Sequence, residues 1–567
     1  MGEGRRPTMM PSSFDPFDGR LYPRRTPSQT MLEYQHLDLA VVPSPLCPQR
    51  PITSLDLSHN PLVTWPSETA ALPSLTRLNL AHTTLTQLPD HLRACTQLEE
   101  LYLSGCPLEC LPSWLSELPH LRVLDLSHTR LTMVPDVVRS LPSLQVLSLS
   151  GLPLAALPPW LDACALHMLF LRSLTACDLS RVRACSTLEY LDLGHLDLTQ
   201  VPDWIQGLPR LQQLDLSDNP ITELPAWVGD LPLTTLHLAQ TRLQHRPDWE
   251  AWTMLRDLNL SGMTHDPAVF AGAFPASLTS LKLYDTALTA IPPFVRNLQH
   301  LETLRFDNNA SLSLPAWLLE ECPLKTLELI NTHITEIAPV AQPIALEHLI
   351  ITAGRLPTWP TLLDYTPHLR TLDLSETRIV DATCPSPCVL PRLVTLDLQG
   401  DAIAQLLPQL VVPMLQRLTI ANCWDADLTA VLQQVGQVKN LAILNCSGTV
   451  PEGLRSWTHL QTLNMGHNGL RELPRWISEL EHLESLNLAY NDLARLPLAV
   501  RELSQLHTLD ITANPLRSFP DWLHTMPQLH AIEFQFPPDD LTLHDHQLQF
   551  LAAGVRCNVR SPRPRKA

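Results

Sequence analysis

The sequence predicts an α/β solenoid of about 22 coils, with short parallel strands on the concave face and short helical or extended segments on the convex face. Three columns of residues predict it. The pair Leu-x-Leu recurs in steps of 22 to 24 residues, from Leu55 through Leu78, Leu101, Leu124 and Leu147 to Ile532, and marks 22 strands in a chain of 567 residues. An Asn, Thr or Cys keeps register five residues after the first Leu, as at Asn60, Thr83, Cys106, Thr129 and Asn219. A Pro keeps register eleven residues after it, as at Pro66, Pro89, Pro112, Pro135 and Pro202.

Each column has a physical task. Within Leu-x-Leu the period is two, so both leucines point inward and the residue between them faces out from a strand. The Asn, Thr or Cys then turns the chain, its side chain satisfying backbone groups that a tight coil buries. Pro fixes φ and lacks a donor, which suits the start of a short helical return. A Trp follows thirteen residues after the first Leu, at Trp114, Trp160, Trp204, Trp227, Trp249, Trp317, Trp476 and Trp522, and reads as a plug between convex segments.

In chain order, residues 1–31 read as a flexible leader, 32–536 as the solenoid, and 537–567 as a C-terminal cap with a basic tail. Leu39–Pro43 matches the second half of a repeat and is expected to cap the first coil. His544–Gly554 is expected to cap the last with a short helix, because the final strand has no neighbour. Register weakens at the coils of Leu169 and Leu258, which lack the Pro. It weakens again from Val380 to Val450, where longer connections and a true helix over about Ala426–Val435 are expected.

Composition narrows the class. The chain has 53 Pro, 18 Gly and 17% charged residues, and no stretch approaches 18 uninterrupted apolar residues, so no membrane span is expected. Met1–Arg25 lacks the apolar run of a secretory signal, which speaks against Sec-dependent export. Thirteen irregularly spaced cysteines suggest a reducing compartment, and the lone CxxxC of Cys384 and Cys388 reads as loop cysteines rather than a zinc site. The net charge is −18, although residues 1–30 carry five Arg against Glu3, Asp15 and Asp18, and residues 556–567 carry five basic groups. The acidic excess therefore lies in the repeats, where it repels a phosphate backbone, and no nucleic-acid partner is expected. Only 4 lysines among the 39 basic residues suggest a GC-rich, bacterial genome.

The columns together resemble the leucine-rich-repeat family, with its pattern L-x-x-L-x-L-x-x-N/C-x-L, over roughly residues 32–536. That resemblance implies a horseshoe. The wording LDLSHTRLTMVP and LDLSETRIV, with the LPxWL return, is similar to the leucine-rich-repeat effectors that plant-associated bacteria inject by type III secretion. The Ser-, Thr- and Pro-rich PSSFDPF and RRTPSQT would suit such a leader. Some relatives in that class add a ubiquitin-ligase domain, for which the roughly 31 residues on either side of these repeats are too few. The resemblance thus implies a monomeric, non-enzymatic binder of host proteins without a cofactor, made in the bacterial cytoplasm and then secreted. Two alternatives stand beside it: an endogenous cytoplasmic scaffold like the Ras-pathway leucine-rich-repeat proteins, and a ligase working through a scattered cysteine such as Cys557.

Binding is expected on the concave face. Its middle column is rich in Asp and Asn, either as template residues or as a surface for a basic partner. Departures from the template mark two candidate contact areas. Met168, Phe170, Arg172 and Tyr190 put bulk on the exposed face of two neighbouring strands, and Lys282, Tyr284, Arg305 and Asp307 do so further along. His59, His82, His128, His195 and His467 recur just before the turn column and read as a solvent-facing stack, not a metal site. The chain shows no Gly-rich phosphate loop, no HExxH and no GxSxG, and no catalytic residue is assigned.

Overall fold

The computed structural model describes residues 31–33, 51–63, 65, 72–263, 267–310, 312–381, 387–400, 406–424, 428–435, 438–446, 448–516, 520, 522–534 and 556–559. A parallel sheet of 24 strands runs through them, one strand per coil. Its first strands are β1 (Met31–Glu33), β2 (Ser54–Asp56), β3 (Arg77–Asn79), β4 (Glu100–Tyr102), β5 (Val123–Asp125) and β6 (Val146–Ser148). Next come β7 (Met168–Phe170), β8 (Tyr190–Asp192), β9 (Gln213–Asp215), β10 (Thr235–His237), β11 (Asp257–Asn259), β12 (Ser280–Lys282) and β13 (Thr303–Arg305). The series continues coil by coil to Ala531–Phe534 and Arg556–Val559.

All 22 strands read from the Leu-x-Leu series are present, and a further strand extends the sheet at each end. Leu32 in β1 pairs with Leu55, and Cys557 pairs with Ile532. Neither extra strand carries Leu-x-Leu: the first reads Leu32-Glu33-Tyr34 and the last has Cys557 at the Leu position. The expected caps at Leu39–Pro43 and His544–Gly554 lie outside the described residues, as does the expected leader except for Met31, which stands in β1.

The leucines of each strand are buried, as at Leu124, Leu126, Leu214 and Leu216, and form one continuous core. A buried Asn closes the turn. Asn219 donates through Nδ2 to the carbonyls of Leu216 (2.9 Å) and Ser217 (3.2 Å) and to Leu193 of the preceding coil (2.8 Å). Its Oδ1 accepts from the amides of Leu196 (2.9 Å) and Leu198 (3.0 Å), so one side chain serves five backbone groups on two coils. Thr129 closes its own turn through a bond to the Leu126 carbonyl, and Cys106 bonds the carbonyl of Leu80.

The residue just before this column takes a positive φ. It does so at His59, His82, Gly105, His128, Gly151, His195, Asp218, Gln240 and Asn308, among others. The column holds no Val, Ile or Thr, as expected for a conformation that brings Cβ against the following carbonyl. The histidines stack as expected along it: His59 and His82 lie with ring centroids 4.5 Å apart.

Pro then caps short 3₁₀ helices on the convex side, as Pro89 does for Asp90–Ala94 and Pro202 for Asp203–Gly207. Trp114, Trp160 and Trp476 lie among these returns and donate their indole N–H to Asp90, Asp136 and Glu452 of the preceding coil. The coil of Leu169 lacks its Pro yet keeps a 3₁₀ helix at Ser180–Ala184. From residue 312 the returns include short strands instead, paired two by two: Leu312–Leu314 with Ile334–Ile337, Arg355–Thr358 with Arg378–Asp381, and Cys388–Val389 with Leu410–Val411. The helix expected near 426–435 is seen over Leu428–Val435. Among the described residues, no helix is long and apolar enough to cross a membrane.

Candidate protein-binding surface

The outward Asp or Asn of each strand begins as a local device. Its Oδ1 accepts the amide two residues on, from Asp125 to Ser127 (2.9 Å), Asp192 to Gly194 (2.8 Å), Asp215 to Ser217 (2.8 Å) and Asp373 to Ser375 (2.8 Å). This bond terminates the strand and starts the turn, so the recurrent LDLS and LNL wording follows from backbone closure. The second oxygen remains for the concave face.

The first candidate area differs from its expected exposure. Phe170 and Tyr190 do project from the concave side and touch, with ring centroids 4.9 Å apart. They are not exposed. Phe170 is fully buried and Tyr190 only 5% accessible, in a second apolar cluster with Tyr102, Val123 and Val146 that is separate from the core. Strand register aligns Val123, Val146, Met168 and Tyr190 in one outward column. The sequence reading missed Val123 and Val146. Their signal was an apolar residue at outward positions that are polar in most coils.

Next to this ridge, charges alternate from coil to coil. Arg172 lies 3.9 Å from Asp192 and bonds Asp218. His237 bridges Asp215 (3.6 Å) and Asp257 (3.7 Å), and Lys282 reaches Asp257 at 3.2 Å. Arg305 pairs with Asp307 (2.9 Å) and Glu328 (2.7 Å). Lys282, Arg305 and Asp307 of the second candidate area are therefore already paired, and Tyr284 stands half-buried two residues beyond Lys282.

Burial and neighbours set the protonation of this ladder. Asp192 and Asp215 sit opposite each other in register. Burial, and then the charge of Asp215, push Asp192 up to about 7, against the pull of Arg172. Burial acts most strongly on Asp215, but the hydrogen bond and charge of His237 and the bonds from Ser217 together outweigh it and hold that carboxyl down. His237 would be lowered by burial, yet its bonds to Asp215 and Asp257 raise it to about 9. Asp257 resists burial in the same way and stays well below the usual carboxylate range, held by His237 and Lys282. Asp192 Oδ2 and Tyr190 Oη, beside this ladder, are among the buried polar atoms of the described residues that find no hydrogen-bond partner.

Other sequence candidates lie apart from this surface. Cys388 is buried on the convex side, Cys384 lies outside the described residues, and Cys557 sits on the last strand. Among the described residues, no three metal-ligating side chains converge.

A family model described as leucine rich repeat matches residues 50–108, 172–221 and 447–493. Among solved structures, the chain is similar to TLR13 in its complex with ssRNA13, with a TM-score of 0.55 and 18% identity, over 88% of this chain and 91% of that one. The leucine-rich-repeat ectodomain of the Arabidopsis thaliana receptor kinase GASSHO1/SCHENGEN3 aligns at a TM-score of 0.34 and 19% identity, over 94% of this chain and 81% of that one. A leucine-rich-repeat protein of Leptospira interrogans aligns at a TM-score of 0.25 and 20% identity, over 89% and 95%. No curated protein matches the chain. The fold is a leucine-rich-repeat solenoid, an architecture commonly used as a protein-binding scaffold or receptor ectodomain and typically without catalysis. The family model covers only part of the chain, and in its repeats and its fold the chain is similar to leucine-rich-repeat proteins.

Proposed function

We propose that the protein is a non-enzymatic recognition solenoid that binds another protein through its concave face, and that it serves a bacterium as an effector acting on host proteins. The observation that carries the binding reading is the run of out-of-template side chains from β7 to β13, where aromatic and ion-paired groups replace the Asp and Ser of the regular coil. Tyr, Phe and Arg are enriched at the cores of protein interfaces, and Tyr and Arg among the few residues that carry most of the binding energy. The paired charges at Lys282 and Arg305 orient a partner rather than attract it by net charge. TLR13 is seen with a single-stranded RNA, whereas the net charge of −18 here disfavours a phosphate backbone. The effector reading rests on the Thr-rich repeat wording and the Ser-, Thr- and Pro-rich leader, with export from the bacterial cytoplasm into the host cell.

Affinity capture from host extract tests the binding reading. A partner retained by Trp227→Ala but bound at least tenfold more weakly by Tyr284→Ala with Arg305→Gln supports it, a loss of about 1.4 kcal/mol. Normal binding by that double variant, with loss on Trp227→Ala at an unchanged melting temperature, moves the site to the convex face. A translocation reporter fused to the chain with and without residues 1–30 separates an exported effector from an endogenous scaffold, and a ubiquitin-discharge assay tests ligase chemistry.

A further inference from the structure

The return after β9 is one residue short. In a regular return two residues separate the Leu that follows the 3₁₀ helix from the next buried Leu, as Pro209 and Arg210 do between Leu208 and Leu211. After β9 only Pro232 stands between Leu231 and Leu233, whereas the return after β10 is full length, with Thr253 and Met254 between Trp252 and Leu255. The return before β7 is short in the same way, between Cys164 and Leu166, but there Thr187 of the next coil bridges the gap with a bond to the Leu166 carbonyl (2.6 Å). Met254 occupies the place of Thr187, four residues before the Leu of its strand, and cannot donate; it is left 55% accessible. A cleft of about 230 Å³ opens between the two returns, lined by residues 228–233 of one coil and by Trp252, Thr253 and Met254 of the next. Trp252 is the buried part of its second wall, only 5% accessible. The indole meets Trp249 edge-on, with ring centroids 5.1 Å apart, and Trp249 in turn stacks on Phe274 at 5.5 Å. Its N–H edge lies over Gly229, where an added Cβ would stand 2.6 Å from Nε1. Trp114, Trp160 and Trp476 give their indole N–H to carboxylates of the preceding coil, but that of Trp252 has no hydrogen-bond partner among the described residues.

We infer that this cleft is a binding site for one aliphatic residue of a protein partner, whose side chain packs on Met254 and Val228 and whose peptide carbonyl accepts the Trp252 N–H. Size sets the single residue. The gap is the place of one residue missing from the return, and its volume lies below the about 300–1,000 Å³ that holds a drug-sized ligand. The lining sets the chemistry. Val228, Leu231 and Leu233 offer aliphatic walls, where a charged group would lose its hydration without return. Met254 adds a polarisable thioether that adapts to different aliphatic shapes. Trp252 supplies the only side-chain N–H of the lining, and Gly229 leaves room in front of it for a carbonyl. That donor is already withdrawn from water, so an acceptor gains the bond without further desolvation of the indole. The contacts with Trp249 hold the ring in place, so little freedom is lost on binding.

The probe is N-acetyl-leucine N-methylamide, a single residue with a peptide group on each side, titrated into the full chain carrying ¹⁵N-labelled tryptophan. The indole N–H resonances report binding, and Trp252→Phe assigns the signal of interest. The Trp252 proton should move downfield and saturate, with a dissociation constant of about 1–10 mM for a ligand of about thirteen non-hydrogen atoms. Trp114, whose N–H is held by Asp90, should stay in place. N-acetyl-glycine N-methylamide keeps the carbonyls but lacks the side chain, and should bind about tenfold more weakly. Gly229→Ala, which sets a methyl group against Nε1, should abolish the shift. Met254→Ser should weaken the leucine probe at least about threefold at an unchanged melting temperature; if Gly229→Ala melts early, this second variant decides. Absence of a saturable shift overturns the proposal, as does equal binding of the glycine probe or undiminished binding by Met254→Ser. A shift shared by Trp114 marks general solvation by the amide and overturns it too. No partner enters this measurement and the cleft lies on the convex returns, so the concave reading stands or falls separately, on Tyr284→Ala with Arg305→Gln.

Discussion

Asn219→Ala should open the solenoid locally, at the coils of β8 and β9. The Asn219 side chain is fully buried and bonds five backbone groups on two coils, at 2.8 to 3.2 Å. Alanine removes the acceptor of the Leu196 and Leu198 amides and the donor to three carbonyls. Each buried amide left unpaired costs about 1–3 kcal/mol, so the pair sets the loss at about 2–5 kcal/mol, with the carbonyls adding less because each retains other donors or water. Asn219→Thr should cost about half as much, because a Thr in this column accepts one amide of the preceding coil and donates to one carbonyl there, as Thr377 does from Gly354 at 3.3 Å and to Ile351 at 2.7 Å, where Asn219 accepts two amides. Long repeat arrays do not unfold in one step, so the assay is native-state hydrogen exchange resolved by peptide. Protection should fall over residues 190–220 and remain elsewhere. A cost below about 1 kcal/mol, or a loss spread evenly over all coils, would refute the role assigned to the Asn column.

The charge ladder makes the concave face sensitive to alkali. His237 is raised to about 9 from an unfolded value near 6.5, so its stabilisation is full below pH 6.5 and is lost as pH rises through 9. Asp192, raised to about 7, works in the same direction: its ionisation in the folded state opposes folding, so its contribution fades as pH rises from about 4 to 7. Melting temperatures should therefore fall between pH 6.5 and 9, and His237→Gln should flatten that limb; an unchanged slope in the variant would reject the ladder as its source. In the positive-φ column, Gly105→Ala should cost about 1–2 kcal/mol, because φ is +70° and a Cβ there would meet Nδ1 of His82 at 2.4 Å. Adding His82→Gly should recover the steric share by thermal denaturation, and strict additivity of the two changes would argue against the contact. Brief thiol labelling should modify exposed Cys110 before the buried Cys95, Cys106, Cys164, Cys185, Cys322, Cys388, Cys423 and Cys446. Cys177 should lag behind Cys110, since burial pushes its thiol to about 11.

The candidate surface was only partly legible. Phe170, Tyr190, Lys282 and Arg305 stood out as departures from the repeat, and strand register does bring Phe170 beside Asp192 and Lys282 beside Arg305. Their exposure was misread, because the pattern of a strand gives the direction of a side chain and not what lies against it. Val123 and Val146 escaped notice for a related reason: each is an ordinary residue in a strand, and they become a ridge only when five coils are stacked.

The sequence by itself determined the coil. Leu-x-Leu, the Asn column and the Pro column each act within about 23 residues, through alternation, side-chain bonds to nearby backbone and a fixed φ, so their consequences could be read from spacing alone. It located 22 of the 24 strands and missed those at the ends, where packing against an existing sheet edge holds Met31–Glu33 and Cys557 in strands that lack the motif. Only the tertiary structure decided the electrostatics. His237, Asp215 and Asp257 are about 20 residues apart in sequence and 3.6 to 3.7 Å apart in space, and their protonation follows from that proximity and from burial. Such energies depend on distance and on exclusion of water, and neither exists until the coils are stacked.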